Sequence, residues 1–197
     1  MATIINADTS NGLKLTSDTS GIIQLQSGGT TKATVNSSGL TSPGHILQVL
    51  STTKTDTFTV ASTTYTAVTG LDVTITPKSA SSKILVMAQA TVIGPSDNVG
   101  GFITLRRGAS TDILVGDSAG SRVQASTNHP GTNQVSTSSP ATLVVLDSPS
   151  TTSATTYGVY VRSPTAVITY VNRSSYDADN VYYPRTASTI TVMEVAA

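Results

Sequence analysis

Residues 71–77 read LDVTITP, and no other stretch limits so tightly what the chain can fold into. Successive side chains on an extended backbone leave opposite faces, so Leu71, Val73 and Ile75 point one way while Asp72, Thr74 and Thr76 point the other. The stretch predicts a strand with one buried and one wet face, closed by Pro77. Phe58 and Val60 alternate with threonines in the same manner. Residues 83–93, KILVMAQATVI, begin as a continuous apolar run and predict a central strand covered on both faces. Further strands are expected at 102–106, 112–115, 142–146, 156–162, 166–172 and 188–195, separated by clusters of Gly, Pro, Asn and Ser. The polar stretch from Gly120 to Pro140 is expected to be an exposed loop. No segment sustains a 3.6-residue period.

Composition agrees with this pattern. The chain has 35 Thr and 27 Ser among its 197 residues, and Glu194 is its sole glutamate. Exposed helix faces are filled with Glu, Lys, Arg and Gln, whereas Thr suits strands and Ser suits turns. We therefore expect an all-β protein, with about eight antiparallel strands in a jelly-roll or β-sandwich head. Eleven basic and eleven acidic residues are spread without a block of one sign, so no nucleic-acid partner is expected. No segment approaches the ~20 apolar residues of a membrane helix, and no basic leader precedes an apolar run. No membrane partner is expected, and the product is expected to be soluble and made in the cytoplasm. The absence of cysteine excludes a disulfide scaffold.

The first 44 residues differ from the rest. Asp8-Thr9-Ser10 and Asp18-Thr19-Ser20 each lead into a glycine and a short alternation, with Leu13 and Leu15, Ile23 and Leu25, then Ala33 and Val35 recurring roughly every ten residues. Strands this short cannot bury a core of their own. Residues 1–44 are therefore expected to form an extended arm that either winds with its counterparts in a trimer or runs across another protein. Residues 45–197 would form the head. Leu13, Leu15, Ile23, Leu25 and Val35 are the arm's candidate interface residues. In the head, Tyr170, Tyr176, Tyr182 and Tyr183 concentrate in the last third. Amphipathic tyrosines suit a subunit interface or a ligand surface, and we assign Tyr170, Tyr182 and Tyr183 to the former.

Three stretches suggest chemistry. Gly116-Asp117-Ser118-Ala119-Gly120 matches the G-x-S-x-G pattern of a nucleophilic serine. The residues after it, SRVQASTNHPG, are no helix, and His129 and His45 have neither the order nor the surroundings of a triad base. A turn is expected there and no catalytic residue is assigned. Asp177, Asp179 and Asn180 in SYDADN resemble a calcium loop faintly, but the turn glycine and the closing glutamate are missing. Two isolated histidines make no metal cluster. The sequons at Asn36 and Asn172 are expected by chance in so Ser/Thr-rich a chain. No cofactor or metal is assigned, and the chain is expected not to be an enzyme.

LQSGGTTKATVNSSGL (25–40) resembles the repeat-like N-terminal segments of bacteriophage fibre and virion surface proteins. VTITPKSASSKILVMAQATV (73–92) and the ending RTASTITVMEVAA resemble the jelly-roll heads that cap such proteins, whose relatives include trimeric tumour-necrosis-factor-like domains. The resemblance implies a homotrimer on the virion surface, with heads around a threefold axis and arms reaching into the particle. Within that family a single head on a short arm fits a capsid decoration or cement protein whose partner is the major capsid protein. The alternative is a tail fibre or fibre tip, partnered by tail proteins, that binds a host-surface receptor or glycan.

Overall fold

The computed structural model describes residues 20–37, 39–94, 100–129 and 139–197. The described residues are all-β and contain no helix. The chain falls into two compact units, one ending at His45 and the other spanning Ile46–Ala197. Leu13 and Leu15 lie outside the described residues, as do residues 130–138 of the expected 120–140 loop.

The smaller unit contributes a meander of three antiparallel strands, β1 (Ile23–Ser27), β2 (Thr30–Asn36) and β3 (Gly39–Thr41). Gly28 and Gly29 turn β1 into β2 with positive φ, a conformation that glycine adopts without steric cost. Ile23 pairs with Val35, Val35 with Leu40, and Leu25 with Ala33, so one face of this sheet is apolar. Gln24, Thr34 and Thr41 occupy the other face.

The larger unit is a sandwich of two antiparallel sheets with a jelly-roll-like strand order. The first sheet holds β4 (Ile46–Lys54), β5 (Phe58–Val60), β7 (Lys83–Ile93), β11 (Ser139–Asp147), β13 (Thr169–Val171) and β14 (Ser188–Val195). Its spine is β7, paired along one edge with β11 and along the other with β14 and then β13. The second sheet holds β6 (Thr66–Ile75), β8 (Gly101–Arg107), β9 (Thr111–Asp112), β10 (Thr127–His129) and β12 (Thr155–Arg162). The order β10-β8-β12-β6 runs across it, with β9 attached to β8.

Alternation builds the core between the sheets. Leu71, Val73 and Ile75 are buried with Ile84, Val86, Ala88, Ile103, Leu105, Val159, Val161, Ile190 and Val192. Asp72, Thr74 and Thr76 are exposed, as the period-two pattern requires. Two buried polar groups tie the layers. Tyr157, on the second sheet, donates to Asp147 on the first at 2.7 Å, and Arg107 pairs with the same carboxylate at 2.8 Å. The fully buried Glu194 accepts from the backbone N–H of Lys78 at 2.7 Å and from the Gln48 side-chain amide.

Four expectations need correction. Of the 112–115 stretch only Asp112 pairs as strand, in the two-residue β9 that begins at Thr111, because Asp112 turns back to bond Thr104 and Arg106 and the chain leaves the sheet edge. The 166–172 stretch shrinks to Thr169–Val171 because Ala166 and Asn172 both have positive φ, 58° and 60°. Within the 120–140 stretch, Thr127–His129 pairs with β8 and Ser139–Pro140 belongs to β11. β7 is central, as expected, but is covered on both faces only from Ala90 to Ile93; Leu85 and Met87 remain half-buried on the outside.

Candidate functional site

Two faces of the sandwich depart from an ordinary Thr-rich surface. The first is the outer face of the β11-β7-β14-β4 layer. Since Ile84, Val86 and Ala88 point inward, Leu85, Met87 and Gln89 point out. Strand register then carries a single row across four strands: Leu146 opposite Leu85, Leu85 opposite Met193, and Met193 opposite Val49. The next row begins with Val144 opposite Met87 and ends in Thr191 and Ser51. A third row, Thr142, Gln89, Thr189 and Thr53, is wholly polar. One half of the face is therefore apolar and the other half is not. Leu146, Val144 and Val49 are 50, 53 and 52% exposed. Water around so continuous an apolar row is unfavourable, and patches of this kind mark contact surfaces.

The second is the outer face of β8 and β12. Phe102, Thr104 and Arg106 point away from the core because Ile103 and Leu105 point into it. Arg106 lies 5.1 Å from the Tyr65 ring centre and 5.0 Å from that of Tyr160. Arg162 lies 5.8 Å from Tyr65 and 6.0 Å from Phe102. Cations attracted to ring faces lock this ladder in place. Burial pushes the Tyr65 hydroxyl up to about 12, with nearby Asp112 adding to the shift and the two arginines opposing it. It stays neutral and donates to the Gln124 carbonyl at 2.8 Å.

Beside this ladder lies an open groove of about 420 Å³, lined by Phe102, Gly116, Asp117, Gln124, Ser126 and Asn128 among others. The GDSAG stretch thus forms part of a groove wall. Its backbone is held by Gly116 N–H to the Ala125 carbonyl and by the Gln124 side-chain amide to the Gly116 carbonyl. Gly120 turns with φ of 60°, and Arg122 N–H closes onto Ala119. Ser118 is exposed in this irregular segment, whereas His129 is buried on β10.

The remaining sequence candidates separate. Ile23, Leu25 and Val35 share the apolar face of the meander, with Leu40 added by β3. Tyr170 sits on β13 beneath the Arg173 guanidinium at 4.8 Å. Tyr183 packs edge-on against Tyr176 at 5.2 Å, and Tyr182 stands 72% exposed. The three tyrosines form no single cluster. Asp177, the leading donor of SYDADN, is held by Arg185 at 2.7 Å and Arg173 at 3.2 Å. Those cations satisfy the charge a metal would need, and among the described residues no group of three His, Cys, Asp or Glu is placed to hold one.

The four-strand apolar row and the arginine–aromatic ladder are not apparent in the sequence pattern. Each residue sits in an ordinary alternation, and only strand pairing brings the rows together. No protein-family model matches the chain, and no curated protein matches it.

Proposed function

We propose that this chain is a non-enzymatic structural protein of a phage virion, a homotrimer that decorates the capsid and stabilises it by bridging major capsid subunits. The observation that carries self-association is the row Leu146, Leu85, Met193 and Val49 across the outer face of the first sheet. Covering it with the same face of two neighbours would remove apolar area from water without pairing any buried charge. The virion assignment rests on the resemblance of residues 25–40 and 73–92 to phage surface proteins. A trimer attached at several points gains avidity without a strong single contact, and binding present only in the assembled shell stabilises that shell by linkage.

A second reading, a tail fibre or fibre tip that binds a host-surface receptor or glycan, is favoured by the groove beside Phe102. Copy number separates the two. Quantitative mass spectrometry of particles that carry this protein should find it in a simple ratio to the major capsid protein. A few trimers per particle would transfer it to the tail, and its absence from particles would overturn both readings.

A further inference from the structure

We infer that the outer face of the second sheet carries a binding site for an acidic saccharide unit, with Arg162 holding the carboxylate and the Phe102–Asp117–Asn128 groove holding the sugar ring. The inference goes beyond the proposed function and is independent of where on a particle the protein sits. Its starting point is Arg162. The other partly buried guanidiniums of the sandwich have carboxylate partners: Arg106 pairs with Asp112, Arg107 with Asp147 and Arg173 with Asp177. Arg162 has none among the described residues, and its buried Nε has no hydrogen-bond partner. Its neighbours are the Tyr65 and Phe102 rings. A guanidinium loses hydration there and gains only the weaker attraction of ring faces. A planar anion would restore what is missing, because the guanidinium fork matches a carboxylate in geometry.

Cross-strand register joins this arginine to the groove. Arg162 pairs with Phe102, and Phe102 pairs with Asn128, so the three stand side by side. Tyr65 is tied to the groove wall through its bond to the Gln124 carbonyl. Phe102 offers the groove an aromatic surface of the kind on which the C–H face of a pyranose can rest. Asp117, when ionised, accepts hydrogen bonds but donates none, so its complement is a hydroxyl or N–H donor. Asn128 can donate and accept. One cation, one acceptor-only carboxylate, a primary amide and a ring therefore fit a ligand with one anionic group, several hydroxyls and an apolar face. A bare phosphate or sulfate would meet Arg162 but be repelled by Asp117. A neutral hexose would leave Arg162 as it is.

The test is calorimetric titration of the full chain with glucuronic acid, glucose and acetate at matched ionic strength and neutral pH. Saturable binding of glucuronate is expected, with glucose and acetate each weaker by about tenfold or more, since each loses one set of charge-assisted or hydroxyl bonds. Arg162→Gln should weaken glucuronate by about tenfold or more and leave glucose unchanged. Asp117→Asn, at an exposed position that does not threaten the fold, should weaken glucuronate and glucose alike. Equal affinity for glucuronate and glucose overturns the inference, as does wild-type glucuronate binding in both variants. Absence of glucuronate binding at millimolar concentration does so too. If Arg162→Gln fails to fold, the Asp117→Asn titration and the three-ligand comparison decide. Neither oligomeric state nor virion copy number enters these readouts.

Discussion

Asn172 is a buried node of hydrogen bonds in the sandwich. Its amide nitrogen donates to the Lys54 and Asp56 carbonyls at 2.9 and 3.0 Å, and its oxygen accepts from Ser188 at 2.6 Å. The Ser188 hydroxyl in turn accepts from the Thr91 backbone. Four strands are thus referenced to one buried amide, at a φ of 60° that asparagine tolerates better than alanine. Asn172→Ala is expected to cost roughly 2–4 kcal/mol, through orphaned carbonyls and hydroxyl and through backbone strain. Urea denaturation measures it, and a loss under about 0.5 kcal/mol would show that the node adds no more than a surface residue. Tyr157 and Tyr65 make the fold sensitive to alkali. Burial raises both hydroxyls above the ordinary 10.0, that of Tyr157 further because it donates to Asp147. The folded chain then holds protons that the unfolded chain releases, so stability is unaffected below about pH 10 and falls as pH rises from there towards 12. Tyr157→Phe should flatten that fall in melting temperature; an unchanged slope would remove Tyr157 as its cause. Ser118→Ala, at an exposed position of an irregular segment, should change stability by no more than about 0.5 kcal/mol.

At the scale of elements, the first sheet separates two roles that strands usually blur. The inward residues of β7 and β14 make the core, while their outward residues make the apolar row. Leu146→Asp places a charge at the β11 end of that row, at a half-exposed position. If the row is the interface of the proposed trimer, this variant should be monomeric in analytical ultracentrifugation and keep its β-sheet circular dichroism. Thr142→Asp, four residues away in the polar row, should leave the proposed trimer unchanged. Dissociation by both, or by neither, would remove the row from the interface. The same elements show what the sequence made legible. Strand 188–195 and the inward set Leu71, Val73 and Ile75 follow from alternation, because period two is a local property. The end of β9 at Asp112 and the loss of strand before Thr169 depend on a carboxylate turning back to Thr104 and Arg106 and on Ala166 taking a left-handed φ. Neither leaves a periodic trace. Leu85 and Met87 read as buried on both faces because an apolar residue on the outer face of a sheet looks, in one sequence, like one facing a core. The groove was hidden for a related reason: Phe102, Asn128 and Arg162 meet only by pairing of three strands far apart in the chain.

The whole molecule divides its tasks between two units, and the division can be tested by cutting between them. Every residue of the buried core cluster lies between Val60 and Val192, so the fragment 46–197 contains the complete core. It should fold with a cooperative transition, since the free energy of burial it needs comes from within it. The meander is different in kind. Three strands of at most seven residues present Ile23, Val35 and Leu40 on one face with no described core of their own beneath them, which is marginal for independent stability. In the proposed trimer its apolar face would meet two copies of itself, brought together at high effective concentration by the associated heads. The fragment 46–197 is therefore expected to remain a trimer at micromolar concentration through the row at Leu85, and to dissociate at a higher concentration than the full chain. Ultracentrifugation of both at matched concentrations measures the difference. A fragment that is monomeric where the full chain is trimeric would move the association from the sheet face to the arm, and identical dissociation curves would leave the arm free for the capsid.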